Sequence, residues 1–237
     1  MKRIAPMVLV VLGMVFGAGC GGGSSSASTA QLRVVNAVAD DGGTTGYDVL
    51  ADTSAFASGL VFPGASAYVA VTAASHQMEV RNTGTTADLI NQSISVTGGS
   101  SYTYVIGGPG AAPNAFLLTD TTTAATSGNV QIRIANATGV FGAMDVYITA
   151  PGTDLFSVSA NVPGLGFGSG STYQTLATGT YEVRITKPSD PNKIVYYDSG
   201  GIALASGAVV TFVIQGPGSN PGGLPLSLQQ LTDASGT

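Results

Sequence analysis

The feature that most constrains this chain is an internal repeat. Residues 32–120 and 130–233 run twice through one series of short motifs, in the same order. Leu32-Arg33-Val34-Val35-Asn36-Ala37 answers Ile132-Arg133-Ile134-Ala135-Asn136-Ala137, and Asp48-Val49 answers Asp145-Val146. Gly59, Leu60, Phe62, Ser66 and Tyr68 answer Gly164, Leu165, Phe167, Ser171 and Tyr173 without a gap. Glu79-Val80-Arg81 answers Glu182-Val183-Arg184, Gly108-Pro109-Gly110 answers Gly216-Pro217-Gly218, and Leu118-Thr119-Asp120 answers Leu231-Thr232-Asp233. The offset grows along the chain, so insertions fall between blocks, where loops accept them. Repeats of this length are tandem domains, not solenoid units.

The blocks read as strands. Tyr181, Val183 and Ile185 alternate with Glu182 and Arg184, and Met78 and Val80 alternate with Gln77, Glu79 and Arg81. That period places one face in a core and the other in water. The runs 102–106 and 209–214 are aromatic and β-branched, as central strands are. Gly and Pro clusters punctuate them, and no helical periodicity appears. The fold class expected is all-β: two tandem Ig-like antiparallel β-sandwich domains, at 31–122 and 129–237. Thr121 to Gly128 is the linker, and each copy is expected to fold separately.

Composition narrows function. Charged residues make up only 9% of the chain, with 8 Lys+Arg against 13 Asp+Glu. This argues against nucleic-acid or anionic-membrane binding through a basic patch. One Cys and one His cannot form a disulfide or the usual zinc site.

The single Cys has a particular setting. Met1-Lys2-Arg3 is positive, Ile4 to Phe16 is an apolar run too short to span a bilayer stably, and Gly17-Ala18-Gly19 precedes Cys20. This resembles the lipobox of bacterial lipoproteins, although Gly17 stands where Leu is preferred. The resemblance implies a signal peptide over 1–19 and lipidation of Cys20, with palmitate among the acyl chains. Residues 20–30, which include the stretch GGGSSSAS, then form a flexible tether. Gly21 follows the Cys in place of the Asp that favours inner-membrane retention. The resemblance therefore points to the outer membrane of a bacterial cell envelope.

The repeated series from Arg33-Val34-Val35-Asn36-Ala37 through Leu118-Thr119-Asp120 resembles the DUF4397 domain. This bacterial domain often occurs in tandem in exported proteins. The family often has His where Asn36 and Asn136 stand, so a His-dependent role is not carried over. The resemblance implies a fold and supplies no mechanism.

Candidate sites follow. Arg33 with Asp48, and Arg133 with Asp145, recur at matched positions. They read as ion pairs fixing the register of the first two strands, with a ligand-binding pair as the alternative. Glu79/Arg81 and Glu182/Arg184 read as solvated decoration. Gly164 to Gly170 lacks the spacing and the Lys of a phosphate loop and reads as a packed loop entering a strand. His76, unmatched in the second copy, reads as an exposed turn residue, and no G-x-S-x-G elbow accompanies it. Asp40-Asp41 and the Asp190-Pro191-Asn192 turn offer oxygen ligands for calcium but follow no calcium-loop pattern. No catalytic or metal-binding set and no cofactor is expected. The chain reads as a non-enzymatic, lipid-anchored structural or interaction module with an envelope protein or glycan as partner. The alternatives are a carbohydrate- or matrix-binding adhesin and, less favoured, an envelope hydrolase.

Overall fold

The computed structural model describes residues 28–39, 46–139, 142–216 and 226–234. The lipobox with Cys20, the pair Asp40-Asp41 and the dipeptide Pro217-Gly218 lie outside the described residues.

Among the described residues, eighteen strands fall in two sets. The first half holds β1 (Thr29–Asn36), β2 (Tyr47–Ala51), β3 (Ser54–Leu60), β4 (Gly64–Ala65), β5 (Val69–Thr72), β6 (Ser75–Asn82), β7 (Asp88–Ser95), β8 (Ser101–Gly107) and β9 (Asn114–Asp120). The second half holds β10 (Asn129–Asn136), β11 (Ala143–Thr149), β12 (Val162–Gly166), β13 (Ser169–Gly170), β14 (Gln174–Ala177), β15 (Gly179–Thr186), β16 (Val195–Leu204), β17 (Val209–Gln215) and β18 (Ser227–Ala234). One 3-10 turn, Leu155–Ser157, is the sole helical element among the described residues.

Strand order repeats. Each half has a sheet of order β3-β2-β6-β7 or β12-β11-β15-β16, and a second of order β4-β1-β8-β9 or β13-β10-β17-β18. In the second kind, β5 or β14 continues the pairing along the same first strand. Pairing is antiparallel except for β1 with β8 and β10 with β17, which run parallel.

Three apolar layers hold four sheets in a stack. Leu32, Val34, Tyr104 and Ile106 meet Tyr47, Val49, Met78 and Val80 inside the first half. Ile132, Ile134, Phe212 and Ile214 meet Met144, Val146, Val183 and Ile185 inside the second. A third layer joins the halves: Val35, Ala37, Val105 and Leu118 from one pack with Ala135, Ala137, Val213 and Leu231 from the other. The halves therefore share an interior, and the two sheets flanking it are inner sheets whose central strands β8 and β17 have no wet face. This explains the runs at 102–106 and 209–214. β17 is buried at all seven positions, whereas β7 on an outer sheet alternates. A strand buried on both faces loses the period-2 signature.

The motif residues now have reasons. Asn36 and Asn136 are fully buried. Their amides donate to the Leu60 and Leu165 carbonyls (2.9 and 3.1 Å), and their side-chain oxygens accept from Val38 and Thr138 N–H. Ser66 and Ser171 sit where the β4–β5 and β13–β14 edges break. Each hydroxyl accepts the N–H of Val34 or Ile134 that the ladder leaves open. An orphaned buried N–H would be costly, so the break needs a hydroxyl. The backbones of the two halves also touch: Gly108 N–H donates to Ala137 O at 2.9 Å, and Val38 bridges to Gly216. Gly107 permits that approach, since a Cβ there would lie 2.5 Å from Ala137 O.

Candidate functional site

The largest concentration of buried polar chemistry lies between the inner sheets. The parallel ladder places Arg33 beside Thr103 and Arg133 beside Thr211, all facing the other half. Arg33 Nε donates to Thr103 Oγ1 at 2.8 Å, and Thr103 donates to Asp120 Oδ2 at 2.6 Å. Asp120 Oδ1 accepts from Arg133 Nη2 at 2.5 Å. Arg133 Nε donates to Thr211 Oγ1 at 3.0 Å, and Thr211 donates to Asp233 Oδ2 at 2.6 Å. Asp233 Oδ1 accepts from Arg33 Nη2, which closes a six-membered ring of side chains. The ring crosses the interface twice.

Two tyrosines complete it. Tyr68 OH donates to Asp120 at 2.8 Å and Tyr173 OH to Asp233 at 2.7 Å. Arg33 stacks over the Tyr68 ring and Arg133 over the Tyr173 ring, each at 4.6 Å. Arg33 also donates to Thr232 O and Arg133 to Thr119 O. Both carboxylate side chains have no solvent exposure. Burial, then the negative charge of Asp120, raises the Tyr68 hydroxyl well above its usual range. Burial likewise raises Tyr173, with the Asp233 charge adding and Arg133 opposing. Both phenols therefore stay protonated and donate. Each guanidinium has a carboxylate, a hydroxyl, a carbonyl and an aromatic face, so these buried charges are satisfied.

This corrects the expected pairing. Arg33 does not pair with Asp48, nor Arg133 with Asp145. Asp48 Oδ1 accepts Gly59 N–H at 2.8 Å and Oδ2 accepts Gly84 N–H at 3.1 Å. Those backbone donors, Gly59 first, hold its carboxyl below the usual range. Asp145 accepts Gly164 N–H at 2.7 Å and Ser189 N–H at 3.0 Å. Both aspartates are turn clamps on an outer sheet. The residues that do close the pairs, Asp120 and Asp233, stand in the repeated block Leu-Thr-Asp. Their recurrence as one of few matched charges was the available signal; nothing in the spacing joined the end of one copy to the start of the other.

His76 is also corrected. It lies buried in β6, with Nδ1 2.6 Å from Asp52 Oδ2 and Nε2 2.8 Å from Thr72 O. Both neighbours are acceptors, so both ring nitrogens donate when the imidazole is charged. The Thr72 carbonyl and then Asp52 raise its pKa above the usual value. Asp52 also accepts Gln77 N–H at 2.8 Å, so the group ties the β2–β3 turn to β6.

The outer faces carry the remaining groups. Arg81 bridges Glu79 (2.7 Å) and Asp88 (2.6 Å). Glu79 is itself 7% exposed, less wet than its alternation suggests. A shallow depression lined by Asp48, Leu50, Ala57 and Arg81 lies beside them. Asp190 accepts the N–H groups of Asn192 and Ile194, which fixes its turn. Gly164 to Gly170 runs from the end of β12 through a tight turn into β13. On the second half Phe156 is 67% and Tyr196 39% exposed. Lys193 lies 5.2 Å from the Tyr147 ring and 5.9 Å from that of Phe156, and donates to the Leu155 and Val158 carbonyls. Among the described residues no group of three His, Cys, Asp or Glu is placed to hold a metal ion.

Comparison with known families bears on the first half. Residues 30–147 carry a DUF4397 domain, described as a domain of unknown function. The DUF4397 match takes in β1 to β9 and runs on through β10 into β11, so it covers both members of the Arg133–Asp120 pair but only Arg33 of the Arg33–Asp233 pair. No curated protein matches the chain. Among solved structures, a family 26 carbohydrate-binding module of Eubacterium rectale Amy13K with maltoheptaose is similar at 10% identity. That match covers 85% of this chain and 96% of the other, with a TM-score of 0.25. Family 41 carbohydrate-binding modules from streptococcal virulence factors are similar at 12% identity, with 81% and 95% covered and a TM-score of 0.26. At these TM-scores the likeness carries no argument about what this chain binds.

Proposed function

We propose that this chain is a lipid-anchored, non-enzymatic interaction module of the bacterial cell envelope, built from two diverged DUF4397 copies. One observation carries the reading. The recurring Arg33/Arg133, Thr103/Thr211, Asp120/Asp233 and Tyr68/Tyr173 hold the halves together and Asp48/Asp145 clamp turns, while the Glu79/Arg81 and Glu182/Arg184 pairs and the unshared features lie on the outer sheets. Such a division gives a rigid core with two different outer surfaces for contact. The repeated strand order and the matched ring residues support a second copy over 129–237. The apolar run before Cys20 supports the anchor. Thr29 and Ala30, expected in the tether, belong to β1, so the tether would comprise residues 20–28, on which the folded part would stand off an outer-membrane surface.

Exposed Phe156 and Tyr196 favour a second reading, a glycan- or matrix-binding adhesin, because sugars stack on accessible aromatic rings. Two experiments test the readings. Metabolic labelling with a fatty-acid analogue should mark the wild type and not Cys20→Ser; equal labelling removes the anchor. A glycan array probed with the mature chain should stay blank under the first reading. Binding that is lost on Phe156→Ala or Tyr196→Ala would establish the second.

A further inference from the structure

The ring has a property that reaches beyond holding one molecule together. Each half contributes the same set to it: Arg33, Thr103, Tyr68 and Asp120 from the first, and Arg133, Thr211, Tyr173 and Asp233 from the second. Each Arg reaches across to the other half's Asp, while each Thr and Tyr holds the Asp of its own half. The apolar residues match as well, with Val35 and Ala135, Ala37 and Ala137, Val105 and Val213, and Leu118 and Leu231 in one layer. Residue i meets j and j meets i, which is the rule of a two-fold, self-complementary interface. Among the described residues no sheet contains strands of both halves. The only chain connection is residues 121–128, so the contact is defined by the two faces and not by the connection.

We infer that the inner face of each half is a docking surface for an inner face of the same kind, and that a second copy of this chain can supply it. Two chains would then exchange halves, the first half of each seated on the second half of the other. Both rings would form as they do within one chain. In the native chain the linker favours closure within one molecule by raising the effective concentration of the attached half. Exchange appears when that closure is blocked.

Linker length offers the block. Asp120 sits against Arg133, four residues into β10, so the linker must reach back roughly 13 Å at about 3.3 Å per residue. Eight linker residues span this with slack. With residues 122–127 deleted, three chain steps reach only about 10 Å. The full chain carrying this deletion should run as a dimer of doubled mass in light scattering and melt cooperatively. Replacing 122–127 with Gly and Ser at constant length should leave a monomer. A second arm uses charge. Arg33→Asp and Asp233→Arg each place like charges together within one chain. In an exchanged heterodimer of the two variants, the substituted positions 33 and 233 face each other with opposite charges, and the remaining Arg33 meets the remaining Asp233. The two full chains refolded together should give a one-to-one dimer with a melting temperature above either alone, and both changes in one chain should restore a monomer. If the double variant does not recover, the deletion arm decides alone. A deletion variant that stays monomeric with its interface closed, or that aggregates without a defined dimer, overturns the inference.

Discussion

The inner and outer sheets are built from the same strand order but solve different problems. An outer sheet has one wet face and alternates, as β7 does with Asp88, Asn91 and Ser93 outward and Ile90 and Ile94 inward. The central strands of an inner sheet have none, and β17 is buried throughout. Polar side chains on inner strands must therefore find partners within the protein. Arg33, Thr103, Asp120 and their counterparts do so through the ring. On the outer sheets Asp48, Arg81 and Asp190 make short local bonds beside solvent. The same residue types thus hold the architecture on one layer and trim turns on the other.

The contrast breaks most visibly at Arg133. Arg133→Leu leaves Asp120 buried without its cation and should cost about 3–5 kcal/mol in denaturant unfolding. Arg81→Leu, on the partly exposed outer face, should cost less. Equal losses at the two positions would show that the layers do not differ. Next in size is Leu231→Ala, which removes apolar contact between the halves and should cost about 2–4 kcal/mol. A loss within scatter would mean that the halves are not packed there.

At or below about 1 kcal/mol, two changes sharpen the picture. Tyr104→Phe installs the residue type that Phe212 has at the matching position. The buried Tyr104 hydroxyl has no hydrogen-bond partner among the described residues, so the change should be neutral or stabilising; clear destabilisation would reveal a hidden contact. Asp48→Ala, which frees the Gly59 and Gly84 N–H groups at the surface, should cost about 1 kcal/mol.

The smallest effect is a pH dependence confined to the first half. The folded pKa of His76 is raised, so its contribution is full below the ordinary value, about 6.5, and fades as pH rises through the folded value. Backbone donation from Gln77 and then His76 lowers Asp52, so its contribution is full above about pH 4 and fades as pH falls through the lowered value. The β2–β3 turn should be best protected from hydrogen exchange between those limits. His76→Gln should flatten the upper side of the profile, and an unchanged profile would remove the imidazolium from the account.

Much of the fold was legible. Alternation at Met78–Val80 and Val183–Ile185 marked outer strands, and the repeated motifs predicted two copies of one strand order. What stayed hidden was the layer between the copies. Local patterns report which face of a strand is dry, not what covers it, so two-sided burial at 102–106 suggested central strands without naming the second partner. The Arg–Asp pairing failed for the same reason. Asp48 lay near Arg33 in sequence and was the natural partner, whereas Asp233 is 200 residues away and reachable only through a pseudo-two-fold axis that no spacing encodes. His76 lacks a repeat counterpart, and the acceptors that bury it, Asp52 in the β2–β3 turn and Thr72 at the end of β5, are not signalled by its own neighbours in sequence.

The central claim is that buried Arg–Asp pairs join the halves across the inner sheets. A double-mutant cycle on the full chain tests it directly, with Arg133→Leu combined with Asp120→Asn in one cycle and with Asp145→Asn in the other. The ring predicts coupling of about 1–3 kcal/mol for Arg133 with Asp120 and additivity within about 0.5 kcal/mol for Arg133 with Asp145. Coupling to Asp145 with additivity at Asp120 would contradict it and return each arginine to its own copy.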